Sequence, residues 1–414
     1  MFNQVRQVFV VCTILLLGSA TAVPPTSAAE RGKKMQVPEE VRSIARSNNE
    51  FAFDLYGQLR CSPGNIFFSP TSISTALAMT YAGAEGQTEK EMTEALNLDL
   101  PEQEVHPAFA SLMAALNAPE DKSYELRVAN RLWGQTGYGF LPSFLETTRD
   151  NYGAELAQVD FVSQTEQVRR EINAWVEQQT NDKIKDLIPS GSLDRLTRLV
   201  LTNAVYFKGK WVHEFDKKAT QDAPFTLSTG EKIDVSLMFQ KEGFRYGETG
   251  ELQLLEMPYK GGDLSMLVLL PKKVDGLAAI EGMLSAESLD EWSSGMRKQK
   301  VRTYIPRFKL TEKFQLNTML SALGMPSAFA PQKANFSGMN GKRDLYITAA
   351  LHKAFVDVNE EGTEAAAATG IVIGVTSVRP EPKVFRADHP FVFFIRHNPT
   401  GSILFMGRVT NPEP

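Results

Sequence analysis

The chain has 414 residues, 43% hydrophobic and 22% charged, with a formal net charge of −5. That composition suits a soluble globular protein with a large core. The acidic balance argues against nucleic acid as the main partner, and two cysteines are too few for a disulfide framework.

In chain order, Arg6 precedes an apolar run, Val8 to Leu17, that is too short to span a bilayer. Ala20-Thr21-Ala22 then offers a small-x-small cleavage site, with Ala29 as a second option. Residues 1–22 read as a signal peptide, which makes the protein secreted or extracellular (periplasmic in a bacterium) and leaves one domain over 23–414. Cys12 lies in the apolar run, where no small residue precedes it to form a lipoprotein site. Cys61 is then the one remaining thiol and reads as structural.

Residues 37–60 carry apolar side chains at helical spacing. Ile66 to Phe68 read as a short strand, and Ser-Pro-Thr-Ser then opens a nearly all-apolar helix through Met79 that should lie buried. Thr88 and Glu91 form a capping-box pattern for a helix to Leu96, and Pro107 is placed to open another to Asn117. The alternation of Leu126, Val128, Asn130 and Leu132 predicts a strand. Residues 166–188 predict an amphipathic helix lying across a sheet, and 198–211 a long strand. Short strands follow from Ala223 to Pro271, with Gly261-Gly262 as a hairpin turn. A helix over 275–297, a strand over 301–310, a helix near 313–323 and a strand through 345–360 come next. Residues 384–412 read as two buried strands joined by a turn at Asn398 to Gly401.

The stretch from Asn359 to Pro382, NEEGTEAAAATGIVIGVTSVRPEP, fits none of these patterns. It reads either as an exposed linker or frayed alanine-rich helix, or as a latent β-strand. As a strand, one face would present Thr363, Ala365, Ala367, Thr369, Ile371 and Ile373, none of them charged. Glu364 would fall on the other face. No proline interrupts Gly362 to Ser377, so every amide could join a ladder.

Nothing in the sequence marks an active site. Five histidines occur without a Gly-x-Ser-x-Gly elbow or a His-Glu-x-x-His pair. No phosphate loop or metal-ligand spacing is present, so no enzyme activity, cofactor or metal is expected.

NIFFSPTSIS (65–74), INAWVEQQTNDKIKDLIP (172–189), TNAVYFKGKW (202–211), NEEGTEAAAATG (359–370) and FRADHPFVFFI (385–395) occur in an order that resembles the serpin family, over residues 37–414. The resemblance implies an α+β fold of three β-sheets with eight or nine helices, and an exposed reactive loop at 359–382. It implies a monomeric suicide inhibitor of serine, sometimes cysteine, proteases, with no membrane partner. The protease cleaves the loop, is trapped as an acyl-enzyme, and the loop inserts into the central sheet, an example of released strain. A serpin-fold carrier or chaperone that traps no protease is the alternative.

Residue by residue, the resemblance implies a hinge of Glu360, Glu361, Gly362, Thr363, Glu364, Ala365, Ala366, Ala367, Ala368 and Thr369. It places Ser69, Ser72, Asn203 and His352 in a shutter beneath the central sheet. Trp211 falls at the breach where insertion begins, and Arg307 pairs with Glu360 at the base of the loop. The family's hinge spacing puts the scissile bond at Thr376–Ser377, with Val375 and then Arg379 as alternatives. A small residue there suits elastase- or subtilisin-like enzymes, and Pro380 disfavours cleavage after Arg379. Lys90 stands among Glu89, Glu91 and Glu94, which argues against heparin activation through that helix. Asn335-Phe-Ser is a glycosylation sequon.

Overall fold

The computed structural model describes residues 37–117, 124–154, 156–363 and 381–413. The expected leader, residues 364–369 of the hinge and the bond at Thr376–Ser377 with its alternatives Val375 and Arg379 lie outside them.

The first elements are α1 (Glu39–Leu59), β1 (Ile66–Phe68), α2 (Pro70–Tyr81), α3 (Gln87–Ala95), α4 (Glu102–Asn117) and β2 (Tyr124–Gln135). Every residue of α2 is buried, as an apolar helix without a polar face requires. Its start is set by Ser69, whose side chain accepts from the Ser72 N–H, and by Pro70 in the first turn. Two helix starts differ from expectation. Gly86 at φ 59° caps α3, because Thr88 instead accepts from the Asn335 N–H and Glu91 holds Ser327. Pro107 lies inside α4, because the buried stripe already begins at Val105 and runs through Phe109 and Leu112.

Next come α5 (Pro142–Tyr152), β3 (Ala157–Val159), α6 (Phe161–Gln179), β4 (Leu199–Lys210), β5 (Gln221–Thr226), β6 (Lys232–Glu248), β7 (Leu252–Pro258) and β8 (Leu264–Pro271). The helix expected over 166–188 begins earlier, where Asp160 accepts from the Val162 and Ser163 N–H groups. It also ends earlier, because Ile184, Leu187 and Ile188 turn back onto the same apolar cluster as Val168 and Ile172. Gly261 and Gly262 both have positive φ, 91° and 82°, as the tight β7–β8 turn demands.

The remainder is α7 (Leu277–Met283), α8 (Ala286–Ser294), β9 (Arg297–Pro306), β10 (Phe308–Gln315), α9 (Asn317–Ala322), α10 (Ser337–Asn340), β11 (Ala349–Asn359), β12 (Gly362–Thr363), β13 (Lys383–Arg386), β14 (Phe391–His397) and β15 (Ile403–Val409). A reciprocal Ser285–Ser288 cap divides the single helix expected over 275–297 into two. The expected strand over 301–310 is two strands in different sheets, since Pro306 cannot continue the ladder. β10 runs to Gln315, so the helix expected near 313–323 starts only at Asn317. β13 adds an edge strand to the two expected at the end of the chain.

The expected three sheets form two hydrogen-bonded networks among the described residues, because 17-residue β6 pairs with β5 and β9 along one part and with β7 at its end. The order is β1-β15-β14-β8-β7-β6-β9-β13 in one network and β10-β11-β12-β4-β2-β3 in the other. The main core fills the space between them, with Phe67 stacked between Phe393 and Phe405. α6 covers the outer face of the second network over Trp133, Val200 and Leu351.

Candidate functional site

The site lies where β4 and β11 meet. They pair in parallel from Ala349–Val200 to Phe355–Tyr206 and then part. β12 enters that opening antiparallel to both, with Thr363 opposite Val358 and Gly209, and Gly362 opposite Asn359 and Lys210. Gly362 is required there. Its φ is 145°, and a Cβ would sit 2.0 Å from the Gly209 carbonyl oxygen. Thr363 is fully buried, and its hydroxyl meets the Tyr259 hydroxyl at 3.1 Å.

The base of this wedge is clamped. Trp211 stacks on Tyr259 with ring centroids 4.4 Å apart, donates its indole N–H to the Asn359 carbonyl and donates its backbone N–H to that of Glu361. Arg307 donates to both Glu360 carboxylate oxygens at 2.5–2.9 Å, and Thr220 adds a bond at 2.5 Å. Burial pushes the Glu360 carboxyl upward, but the bonds from Arg307 and Thr220 outweigh it and hold it below the ordinary range. Lys217 pairs with Glu361. Residues 360–363 are therefore buried, a correction to an exposed loop beginning at Asn359. The reason is that β4 and β11 separate above Phe355 and leave ladder groups that a strand must satisfy. Arg307→Ala would leave the Glu360 carboxylate buried without its cation. It is expected to cost about 3 kcal/mol, read as a lower melting temperature and a faster spontaneous loss of the folded form.

Below the wedge, Asn130, Asn203 and His352 stand opposite one another on β2, β4 and β11. His352 Nε2 accepts the Ser69 N–H at 3.2 Å, so the neutral ring carries its proton on Nδ1 and donates to Asn203 Oδ1. Asn203 Nδ2 donates to Ser72 Oγ at 2.7 Å and Asn130 Oδ1 at 2.6 Å, and Ser69 Oγ donates to the Leu404 carbonyl. Ser69, Ser72, Asn203 and His352 thus form one network, and Asn203–His352 crosses the closed part of the ladder. Any strand passing down the gap must separate that pair.

Burial pushes the His352 imidazole down to about 3 from 6.5. The unfolded chain takes up this proton at higher pH than the folded one. The contribution to stability is complete above pH 6.5 and is lost as pH falls toward 3. Acidification from pH 7 to 4 should therefore weaken the gate by a few kcal/mol, and the folded form should convert faster at acid pH. His352→Gln, which does not titrate, should flatten that dependence; an unchanged acid acceleration would remove His352 from the gate.

A parted pair of parallel strands, a buried two-residue wedge and a polar latch across the unopened ladder make a sheet able to accept another strand. The family model "Serpin (serine protease inhibitor)" matches residues 46–412 of this chain. The chain is a serpin. Its relatives include the leukocyte elastase inhibitors of Equus caballus, 46% identical over 382 residues, and of Xenopus laevis, 41% over 380. Each match covers 90% of this chain and all of the relative. Uncleaved ovalbumin has a similar structure, with a TM-score of 0.82 at 35% identity over 89% of this serpin and all of that chain. Human thyroxine-binding globulin complexed with thyroxine gives 0.83 at 31%, over 91% and 100%. The family description and the names of the elastase-inhibitor relatives are those of protease inhibitors, which are not enzymes.

The fold also places the other residues singled out in the sequence. Cys61 is an exposed free thiol, not a core one, because α1 ends before it. Asn335 of the sequon is only 8% exposed, and its side-chain oxygen accepts from Ser337, so the folded chain does not present it for glycosylation. His106 bonds Tyr152, His389 bonds Asp388 and the Pro271 carbonyl, and His397 bonds Thr400, which are structural roles. Among the described residues there is no metal-binding cluster. Neither is any helix there long and apolar enough to cross a membrane. Asn130 and Tyr259 were absent from the expected site. Asn130 is an amide in an otherwise apolar strand alternation, which is a usable signal; Tyr259 carries none.

Proposed function

We propose that this serpin is a secreted suicide inhibitor of an elastase- or subtilisin-like serine protease. The carrying observation is β12, already seated between β4 and β11, with the Asn203–His352 latch further down the same two strands. In this reading the protease serine attacks the Thr376 carbonyl, the Ser377 amine leaves, and the acyl-enzyme is carried with the inserting strand before water can release it. The names of the elastase-inhibitor relatives support a small bait residue. The leader at 1–22 precedes the family match and supports export.

Incubation with an elastase-type enzyme should give an SDS-stable adduct and a C-terminal fragment beginning at Ser377. Mass spectrometry of that fragment identifies the bond; turnover of the loop without any adduct would sink the inhibitory reading. The carrier reading is favoured only by the likeness to thyroxine-binding globulin. It predicts no covalent product with any protease.

A further inference from the structure

α2 meets the latch through its backbone. Ser69 donates its N–H to His352 Nε2 at 3.2 Å, near the limit of a useful bond, and no change of rotamer can re-aim a backbone donor. The position of that N–H is set by whatever holds the first turns of α2. Although every residue of the helix is buried, these turns rest on polar contacts. Ser69 Oγ donates to the Leu404 carbonyl at 2.6 Å and Thr71 Oγ1 to the Ile403 carbonyl at 2.7 Å. Thr71 Oγ1 also lies 3.3 Å from Ser402 Oγ. A polar seam therefore joins α2 to the start of β15.

Asn48 closes this seam from a third element. It lies midway along α1, 1% exposed, on the face that also buries Ile44, Ala45, Ala52 and Leu55. An asparagine there lowers helix propensity and must be desolvated, where an apolar side chain would cost neither. What it makes in return is three directed bonds. Its Nδ2 donates to Ser402 Oγ and to the Ile403 carbonyl, both at 3.1 Å, and its Oδ1 accepts from Ser74 Oγ at 3.0 Å. Asn48 thus ties α1, α2 and β15 together at one point. Its neighbour Asn49 bonds the Gly401 carbonyl and the Ile403 N–H, and among the described residues it makes no bond to α2.

We infer that Asn48 is a positioning residue for the latch: by holding α2 against β15 through Ser74, it keeps the Ser69 N–H on His352 Nε2. This deepens the insertion reading above and rests on it. With Nε2 accepting from Ser69, the ring proton stays on Nδ1, where it is donated to Asn203 Oδ1. A small shift of α2 breaks the long Ser69 bond and frees Nε2 to take the proton instead. Nδ1 then has nothing to donate, and the bond that joins β4 to β11 is lost. None of the bonds of Asn48 reaches the wedge, so its influence on the gap runs through α2.

The tautomer of His352 reports this directly, by nitrogen NMR of histidine-labelled protein at neutral pH, with the signal assigned from its absence in His352→Gln. The parent should show the Nδ1–H form alone. Asn48→Leu, of similar volume but without the bonds, should add the Nε2–H form. It should also convert the intact fold about tenfold faster, the scale of one lost buried hydrogen bond. Ser74→Ala removes the same tie by a gentler change and should act likewise, and the two together should do no more than either. Asn49→Ala also loosens α1 from β15 but should leave the tautomer as it is. A His352 signal unchanged in Asn48→Leu and Ser74→Ala would overturn the proposal. So would an equal change in Asn49→Ala, which would reduce Asn48 to general support. The spectra need no protease, so a parent that forms no adduct would sink the inhibitory reading and leave the tautomer result standing.

Discussion

Thr363→Arg is expected to convert the inhibitor into a substrate. Thr363 is fully buried in the wedge, hydrogen-bonded to Tyr259 and flanked by β4 and β11. It is the position through which an inserting strand must enter the sheet. An arginine there would leave the wedge for solvent in the intact variant, and re-entry during insertion would then have to bury its charge, a cost of several kcal/mol. Insertion then slows relative to deacylation, and the enzyme escapes. Titration against an elastase-type protease should show inhibitor consumed per enzyme rising at least about tenfold, with cleaved inhibitor replacing adduct, since 1.4 kcal/mol in a barrier is a factor of ten. Thr363→Ser keeps the hydroxyl and should remain an inhibitor. Full covalent trapping by the arginine variant would refute the entry point.

Nicking the loop is expected to raise the melting temperature by on the order of 10–20 °C, if insertion releases about 10 kcal/mol in a chain of this size. The intact form is held by the unopened β4–β11 ladder and its latch, so its persistence is kinetic. The registers of β12 on its two neighbours agree on where an inserted strand would lie. Continuing them by six residues brings Thr369 opposite both Asn203 and His352, between the groups that insertion has parted. A hydroxyl can satisfy both, donating to one and accepting from the other. Thr369→Val should therefore still insert, but with a cleaved-form melting temperature a few degrees lower, reflecting about 1–3 kcal/mol for groups left unpaired. A differential scan of intact and nicked protein decides both points: an unchanged transition would remove strand insertion, and an unchanged Thr369→Val increment would remove the register.

The clamp at Glu360 and the latch at His352 act in the same direction on this barrier. Acid favours parting of the latch, because His352 takes up a proton once it is released from burial, and loss of Arg307 weakens the clamp by stranding Glu360. The two lie on different parts of the gap and share no partner, so their effects on conversion rate should combine nearly additively.

Local chemistry made much of this protein legible in one dimension. The apolar run from Pro70 to Tyr81 had to be buried, whatever surrounded it. The diglycine at 261–262 had to turn, because both residues need positive φ. The uncharged alternation from Thr363 to Ile373 suited a strand meant for a core, beside the reading of an exposed linker. Those are properties of residues and their near neighbours. Three matters were decided by tertiary structure alone. Glu360 to Thr363 are buried because β4 and β11 diverge above Phe355, a separation between strands distant in sequence that no local pattern encodes. The latch needs Asn130, Asn203 and His352 in register across three strands with Ser69 and Ser72 on a helix beneath, and only the folded sheet brings them within hydrogen-bond reach. Cys61 and Pro107 went against expectation because solvent exposure and helix starts depend on where the apolar stripe finds a partner. By composition the stretch from Asn359 to Pro382 read either as a linker or as a strand held in reserve, whereas the opening between β4 and β11 that its first residues enter exists only in three dimensions.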